Sequence, residues 1–335
     1  MLAMKKRVVA YKKLPPALLA RLAEQFEVIG FDGVNDTNRA AFAEAVAGAH
    51  GLIGSSVRID ATLLDPAREL ELISTISVGY DTFDVDYLTR RGILLANTPD
   101  VLTETTADTL FALILATARR VVELAEFVKA GHWQRSIGPA HFGVDVHHKT
   151  LGLIGLGRIG QAVARRANLG FGMNVVYYSR HAVPEAEAAY GARRVGLNEL
   201  YASADFVCVV LPLTAETDKL IDADAFARMR PETIFINGSR GPIVDEAALI
   251  QALKSGAIHG AGLDVFEREP LPADSPLLQL PNVVALPHIG SATHETRFAM
   301  AEMAVDNLIA GLNGQRPRAV VNPSSRPFAT LGEAS

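Results

Sequence analysis

Residues 151–170 read LGLIGLGRIGQAVARRANLG, and this stretch decides the fold class. The apolar run Leu151–Gly155 predicts a buried strand, and the pattern over Gln161–Gly170 predicts a helix. Between them, Gly155–Gly160 spells GxGxxG, the turn that joins strand to helix in dinucleotide-binding βαβ units. The sequence therefore predicts a parallel α/β domain that binds a dinucleotide.

Each glycine of this turn has its own predicted task. Gly155 permits the tight turn, Gly157 lets the backbone approach the pyrophosphate, and Gly160 lets the helix pack closely on the strand. The pyrophosphate is expected at the helix N-terminus, where backbone N–H groups and the helix dipole favour an anion.

The end of the next predicted strand bears on which dinucleotide is bound. NAD-specific sites place an acidic residue there to hold the ribose 2′-hydroxyl. Here the strand ends in Ser179, Arg180 and His181, with no acid, and a guanidinium is suited to hydrogen-bond a 2′-phosphate. We expect NADP(H) to be preferred and NAD(H) to remain possible. The alternative is that Arg180 is only a solvated surface side chain.

Short apolar runs alternate with helical patterns along the whole chain, as in stacked βαβ units. The first series of predicted strands comprises Arg7–Tyr11, Glu27–Phe31, Gly51–Gly54, Leu72–Val78 and Ile93–Ala96. The second comprises Leu151–Gly155, Asn174–Ser179, Phe206–Leu211, Thr233–Asn237, Gly260–Val265 and Val283–Leu286. Two series predict two doubly wound parallel sheets, and hence two domains.

Two long helical patterns flank the second series. Thr103–Lys129 is apolar nearly all round through Leu110–Ala118, which predicts one long helix buried against another domain or subunit. Ala292–Leu312 follows the last strand and predicts that the chain crosses back to the first domain. Gly314–Ser335, rich in proline and serine, is expected to be an extended tail.

Composition narrows the classes of function. The 335-residue chain has a net charge of −5 and 32 scattered basic residues, which gives no reason to expect nucleic acid or a membrane surface as partner. No apolar run approaches the roughly 18–20 residues of a membrane span, and Met1–Lys6 does not resemble a signal peptide. The single cysteine, Cys208, lies in an apolar run, so we expect it in the core and the protein in the cytoplasm.

Three consecutive strands of the second series are followed by chemically distinctive residues: Arg240, Glu269 and His288. The carboxyl ends of parallel strands lie at one edge of a sheet, where ligands bind. A guanidinium, a carboxylate and an imidazole are therefore expected to meet beside the nicotinamide. Each residue also has a structural alternative, as a turn, loop or ordinary surface residue.

Six sequence motifs occur along the chain in the same order as in a known enzyme family. They are Ser77–Asp81, Gly155–Gly160, Leu211–Thr214, Asn237–Asp245, Gly262–Pro270 and Pro287–Thr293. With these, the chain resembles the D-isomer-specific 2-hydroxyacid dehydrogenases over nearly its whole length. Further stretches resemble the bacterial glyoxylate/hydroxypyruvate reductases, also known as 2-ketogluconate reductases: Arg135–Pro139, Asp145–Thr150 and His288–Arg297.

The resemblance implies an architecture and an activity. A Rossmann cofactor domain, residues 102–290, would be inserted in a flavodoxin-like substrate domain made of residues 1–101 and 291–322, with 323–335 as a tail. The expected reaction is NADPH-preferring reduction of glyoxylate, hydroxypyruvate or 2-ketogluconate to a D-2-hydroxy acid. The subfamily is typically dimeric, so a homodimer is expected.

The roles that the resemblance implies fit the chemistry. Arg240 would bind the substrate carboxylate and polarise the 2-oxo group. His288 would be the general acid, and Glu269 would pair with it and favour the imidazolium. Val78 and Gly79 would offer backbone N–H groups to the carboxylate before cleft closure excludes water. The full set of expected cofactor contacts is Thr106, Gly155, Gly157, Arg158, Ile159, Gly160, Ser179, Arg180, Leu211, Pro212, Thr217, Gly238, Ser239, Arg240, Asp264, His288 and Gly290.

Several other residues have more than one possible role. Asp264 would bind the nicotinamide amide, or would only cap a turn. Trp133 is expected to pack rather than to catalyse, in a loop, Gly131–Gly143, that lies near the substrate or a partner subunit. His147 and His148 are adjacent and would point to opposite faces of an extended segment, and no metal-ligand spacing is evident.

Two other functions remain open. The same scaffold and triad resemble transcriptional corepressors that sense dinucleotides, which fast turnover of a small oxo acid would distinguish. The chain also resembles phosphoglycerate dehydrogenase-like enzymes of the same family.

Overall fold

The computed structural model describes residues 5–325. They divide into two units, one built from the chain up to Val101 together with the chain from Thr293 onward, and the other from Leu102–Ala292. Each unit is built on one parallel sheet, which confirms the predicted α/β class with two parallel sheets. No helix within residues 5–325 is long and apolar enough to cross a membrane.

The first unit has a five-stranded parallel sheet. Its strands are β1 Arg7–Ala10, β2 Glu27–Gly30, β3 Gly51–Gly54, β4 Leu72–Thr75 and β5 Leu94–Ala96. Its helices are α1 Pro16–Gln25, α2 Arg39–Ala47, α3 Ala61–Leu64, α4 Val85–Arg90 and, from the end of the chain, α12 His294–Leu312. The strand order β2-β1-β3-β4-β5 is that of flavodoxin-like folds, with the order reversing between β1 and β3.

The chain after α12 is not the extended tail that its composition predicts. Val320 forms an antiparallel bridge with Ala96, and the Val321 N–H donates to Leu95 O at 2.8 Å. The buried Asn322 side chain accepts from the Leu95 N–H at 2.7 Å. This segment is held because it supplies hydrogen-bond partners to the open edge of β5. Residues 326–335 of the predicted tail lie outside the described residues.

The second unit has a seven-stranded parallel sheet. Its strands are β6 Thr150–Ile154, β7 Asn174–Tyr178, β8 Arg193–Arg194, β9 Phe206–Val209, β10 Ile234–Asn237, β11 Gly260–Leu263 and β12 Val283–Ala285. The order β12-β11-β10-β9-β6-β7-β8 is the Rossmann order with one additional strand, and it reverses between β6 and β9. The two-residue β8 was not predicted, because two arginines give no apolar run.

Seven α-helices surround this sheet within the described chain: α5 Thr103–Ala118, α6 Val121–Lys129, α7 Arg158–Arg165, α8 Pro184–Tyr190, α9 Leu197–Ser203, α10 Ala223–Arg228 and α11 Glu246–Ser255. The pattern predicted over Gln161–Gly170 begins earlier, at Arg158, and finishes as a π-helical turn over Arg166–Gly170.

The prediction of a single helix over Thr103–Lys129 is wrong, since this segment forms two helices, α5 and α6. Arg120 takes a left-handed backbone conformation with φ of 55°. Its guanidinium bonds Glu123 at 2.7 Å and the carbonyl of Ala140 at 2.6 Å, which holds the break in place.

The apolar surface of α5, from which burial against another domain or subunit was expected, is covered by its own unit. The helix packs against α7, β10 and β11 of its own unit, and Leu113 and Ile114 are fully buried there. Its all-round apolar surface reflects a position in the core of the second unit.

Candidate active site

The GxGxxG turn lies at the switch point of the second sheet. It joins β6 to α7, and Gly155 has φ of +102°, a conformation that side chains rarely adopt. A Cβ on Gly155 would lie 2.6 Å from the carbonyl oxygen of Val210, and a Cβ on Gly160 would lie 2.6 Å from that of Gly155. No neighbour would touch a Cβ on Gly157, so the space in front of the turn is open.

The start of α7 presents backbone donors toward this open space. Gly157 is the N-cap, and Arg158 and Ile159 form the first two helical positions. The first amide that donates back into the helix is that of Gln161, to Gly157 O at 2.9 Å. The N–H groups of a first helical turn have no carbonyl partner within the helix, which is why helix N-termini bind anions.

Beyond β7, the segment Ser179–Arg180 is held by an arginine that the sequence patterns missed. Arg194, on β8, donates to the carbonyl of Ser179 at 2.9 Å and to that of Arg180 at 2.8 Å. The Arg180 side chain is exposed. Its charge contributes to the lowered pKa of Glu216, after the larger effect of the Thr214 hydroxyl.

The loop after β9 is closed by its own hydroxyl groups. Thr217 Oγ1 donates to Pro212 O at 2.7 Å and accepts from the Thr214 N–H at 2.8 Å. Ser239 Oγ donates to the carbonyl of Leu211, so this loop is joined to the turn after β10. Leu211, Pro212, Thr217 and Ser239 thus lie along one edge of the sheet.

The turn that carries Arg240 is fixed by a buried amide. Asn237, 1% exposed at the end of β10, donates to Arg240 O at 3.1 Å and accepts from the Ser239 N–H at 3.1 Å. Gly238 packs against α5, since its Cβ would lie 2.3 Å from Leu110. Asn237 is not among the predicted site residues, because an asparagine at the end of a strand is common.

The structure brings Arg240, Glu269 and His288 together. Glu269 Oε2 lies 2.7 Å from His288 Nδ1, and Glu269 Oε1 accepts from the Phe266 N–H at 3.0 Å. Burial opposes ionisation of Glu269. Hydrogen bonds from His288 and Phe266, together with the charges of His288 and Arg240, nevertheless hold the pKa of the carboxyl below its ordinary value. The arrangement is a carboxylate that orients an imidazole beside a guanidinium.

Asp264 holds the turn that presents His288. Its two carboxylate oxygens accept from the N–H groups of Ile289 at 2.7 Å and Gly290 at 2.8 Å. His288 itself is left-handed, with φ of 54°. Asp264 is 2% exposed, and burial raises its pKa despite these two N–H donors. The capping alternative therefore describes its contacts, and its contact with a nicotinamide stays a prediction.

Thr106 lies next to Gly290 and Asp264 in the second unit. A Cβ on Gly290 would lie 3.1 Å from Asp264 Oδ2 and 3.3 Å from Thr106 Cγ2. Thr106 on α5 and Asp264 after β11 therefore enclose Gly290, which leaves little room for a larger residue there.

Val78 and Gly79 lie after β4 in the first unit. The Val78 carbonyl accepts from Asn97 Nδ2 at 2.9 Å, and the Gly79 carbonyl accepts from Ser77 Oγ at 2.6 Å. Within residues 5–325, no acceptor is paired with the backbone N–H of either residue. Their contact with a substrate carboxylate stays a prediction.

One other expectation for the second unit is wrong. His147 and His148 do not point apart, because His148 is left-handed with φ of 59° and the Nδ1 atoms of the two rings lie 2.9 Å apart. Trp133 is 62% exposed in the single chain, so its packing near the substrate or a partner subunit stays a prediction. Cys208 is fully buried as expected, and burial raises the pKa of its thiol to about 12. Among the described residues, no cluster of histidine, cysteine or acidic side chains is arranged to hold a metal ion.

A glycine-rich turn at a Rossmann switch point, with an arginine, a glutamate and a histidine at the same sheet edge, defines a dinucleotide-dependent oxidoreductase. The sequence profile of the D-isomer-specific 2-hydroxyacid dehydrogenase NAD-binding domain matches residues 111–290. The chain belongs to this family.

Individual relatives agree with the family assignment. The chain is 59% identical to glyoxylate/hydroxypyruvate reductase B of Escherichia fergusonii, over 96% of this chain and 99% of that protein. It is 58% identical to the reductase of the same name from Serratia proteamaculans, over 96% and 98%.

Solved structures show the same architecture. One is the NADPH-dependent glyoxylate/hydroxypyruvate reductase of Sinorhizobium meliloti in complex with NADP and malonate, with a TM-score of 0.84 and 35% identity over 97% of this chain and 99% of that one. Another is a protein from Thermus thermophilus, with a TM-score of 0.87 and 45% identity over 94% and 99%.

Proposed function

We propose that this protein is an NADPH-preferring reductase that converts glyoxylate, hydroxypyruvate and 2-ketogluconate to the corresponding 2-hydroxy acids. The observation that carries the proposal is the 2.7 Å pair between Glu269 and His288, beside Arg240 and on the same sheet edge as the GxGxxG turn. The names of the relatives support the first two substrates, and the likeness to 2-ketogluconate reductases in sequence motifs supports the third.

The residues present fit a dinucleotide. The open space before Gly157, the N–H groups at the start of α7 and the Ser179–Arg180 segment follow one another along the sheet edge. When bound, the nicotinamide supplies the hydride that reduces C2 of the oxo acid. Arg180 would hold a 2′-phosphate, and the absence of an acidic residue after β7 removes repulsion against it.

The chain itself positions the oxo acid and supplies the proton. The N–H groups of Val78 and Gly79 bind the substrate carboxylate, and the Arg240 guanidinium holds the carboxylate and polarises the 2-oxo group. His288, in its protonated form, donates from Nε2 to the oxygen that becomes the hydroxyl. Glu269 accepts from Nδ1, which fixes the ring and favours the imidazolium.

The first experiment is the initial rate of NADPH and NADH oxidation with each of the three oxo acids. Rapid NADPH oxidation is expected, and Arg240→Ala or His288→Ala should fold normally yet lose most of the activity. Near-wild-type turnover in either variant would overturn the mechanism. A protein that binds NADPH but reduces none of the three acids would favour a dinucleotide-sensing regulator instead.

We also propose that the protein is a homodimer. The surface of α6 and the following loop exposes large apolar side chains, with Val121 52%, Val128 50%, Trp133 62% and Phe142 60% exposed. A monomer seldom exposes so many apolar groups together, and a second copy of the same surface would cover them. Light scattering should give twice the chain mass, and Val128→Glu with Trp133→Ser should give a monomer. A wild-type monomer at micromolar concentration would contradict this.

The protein is proposed to act in the cytoplasm on a free small molecule, without nucleic acid or membrane as a partner. The net charge of −5 and the buried single cysteine support this location. Cell fractionation against cytoplasmic and membrane markers tests it.

A further inference from the structure

The first unit places two cations beside the switch point of its sheet, and the proposed chemistry uses neither. Lys12 comes shortly after β1, and Ser55 directly follows β3, the two strands between which the order reverses. Lys12 Nζ donates to Ser55 Oγ at 2.7 Å, so the lysine side chain reaches from one strand end to the next. The crevice at such a reversal is where open α/β sheets bind ligands.

Arg297 is the second cation. It lies one turn into α12, the helix that packs on β3 and β4. Burial, and after it the positive charge of Arg297, lower the pKa of the Lys12 ammonium. Both are partly buried.

The described part of the chain offers these two cations no anion. Neither Lys12 nor Arg297 has a carboxylate oxygen within 4.0 Å among residues 5–325. Other cations of this unit are paired, as Lys6 is with Glu71 at 2.7 Å. Partly desolvating two like charges side by side is unfavourable unless an anion compensates them. The pair is therefore poised for an anionic ligand.

The location indicates which anion. The N–H groups of Val78 and Gly79 follow β4, the strand next to β3, and neighbouring strands lie about 4.8 Å apart. Gly54 is paired with Thr75, so Ser55, which holds Lys12 Nζ, is level with Ile76 and lies two residues short of Val78 along the neighbouring chain. One strand spacing combined with two residues along a strand is roughly 8 Å. With carbon–carbon bonds of about 1.5 Å, the two ends of a four- or five-carbon dicarboxylate are roughly 4–5 Å apart, and a hydrogen bond of about 2.9 Å at each end extends the span between donors to roughly 10 Å, which is comparable.

We propose that Lys12, Ser55 and Arg297 form a subsite for a second, distal carboxylate, so that the enzyme also reduces four- and five-carbon 2-oxo dicarboxylates. This inference rests on the proposed function, because it takes the substrate's first carboxylate to lie on Val78 and Gly79. The subsite adds no reacting group; it binds the end of the substrate remote from C2.

The test compares 2-oxoglutarate with 2-oxopentanoate, which has the same carbon chain but a methyl group in place of the distal carboxylate. We expect a higher kcat/KM for the dicarboxylate in the wild type. Lys12→Met should lower the ratio of the two kcat/KM values by about tenfold to 100-fold, as expected for loss of a charge-assisted hydrogen bond. Arg297→Gln should act in the same direction. Lys13→Met, which removes the adjacent exposed lysine, is the matched control and should leave the ratio unchanged.

Three outcomes would overturn the proposal: equal kcat/KM for both acids in the wild type, an equal loss for both in Lys12→Met, or a loss in Lys13→Met as large as in Lys12→Met. A clear preference for 3-phosphohydroxypyruvate over 2-oxoglutarate would overturn the dicarboxylate class in favour of a phosphate.

Calorimetric binding of the two acids to the NADPH-loaded protein separates this proposal from the general one. If the wild type fails to reduce glyoxylate, the proposed function fails. Tighter binding of 2-oxoglutarate that Lys12→Met abolishes would still support the subsite, and equal binding would refute it.

Discussion

Replacing Glu269 by glutamine tests how the carboxylate serves His288. The substitution preserves shape and one acceptor oxygen but removes the negative charge 2.7 Å from the imidazole. In the wild type that charge attracts the positive charge that His288 carries when it donates the proton during reduction, and it fixes the orientation of the ring. The variant should therefore reduce glyoxylate with a lower kcat/KM.

The size of this effect follows from the geometry. A hydrogen bond to a charged group contributes about 1.5–3 kcal/mol and a neutral one about 0.5–1.5 kcal/mol, a difference of about 1–1.5 kcal/mol. The side chains of His288 and Glu269 are 47% and 36% exposed, so solvent screening places the effect at the lower end. At about 1.36 kcal/mol per tenfold change in rate, kcat/KM should fall by about fivefold to tenfold.

The pH dependence of the wild type at acid pH tests the ionised state of Glu269. Because the folded pKa of Glu269 lies below its ordinary value, the ionised carboxylate is present from neutral pH downward until the pH falls through that lowered pKa. Activity that depends on ionised Glu269 is lost only there, and Glu269→Gln should not show this loss.

The assay is kcat/KM for glyoxylate with NADPH from about pH 3 to about pH 8, which includes the range in which a carboxyl group titrates. Glu267→Gln is the matched control: Glu267 lies two residues away, and its carboxylate pairs with Lys219 at 3.8 Å. An unchanged kcat/KM in Glu269→Gln at neutral pH, or an equal loss in Glu267→Gln, would refute the reasoning.

Three further predictions follow from single contacts. Arg180→Ala should raise the KM for NADPH by about tenfold to 150-fold and leave that for NADH little changed, as steady-state kinetics would show; equal effects on both would contradict a 2′-phosphate contact. Asp264→Asn should lower kcat at least about tenfold, because an amide nitrogen cannot accept a backbone N–H, so the turn bearing His288 loosens; an unchanged kcat would show that the turn holds without it. Asn322→Ala should lower the free energy of unfolding by about 2–4 kcal/mol in urea, since it leaves buried partners at the edge of β5 unsatisfied, whereas the exposed Asn313→Ala should cost less than about 0.5 kcal/mol.

Much of the second unit was predictable from local patterns. A buried parallel strand is a nearly continuous apolar run, and β6, β9 and β10 are such runs. The glycine turn after β6 is a local steric requirement, as the φ of Gly155 shows. The gathering of Arg240, Glu269 and His288 followed from one rule, that the carboxyl ends of parallel strands share an edge.

Where local patterns failed, a contact with a distant residue decided the outcome. The break at Arg120 depends on the carbonyl of Ala140, which no helical periodicity contains. The chain after α12 is held in place by the otherwise unpaired edge of β5. The Asn322 side chain accepts a hydrogen bond from the backbone N–H of Leu95, 227 residues earlier in the chain.

The sequence by itself determined the fold class, the dinucleotide turn and the candidate catalytic set, because periodicity, glycine geometry and strand ends are local properties of the chain. Only the tertiary structure decided that Asp264 holds the turn of His288, that Arg194 supports Arg180 and that Lys12 reaches Ser55. Those contacts depend on which strands lie side by side. The hydrophobic pattern of a strand favours its burial in a sheet, but the packing of the whole unit determines which strands lie next to it.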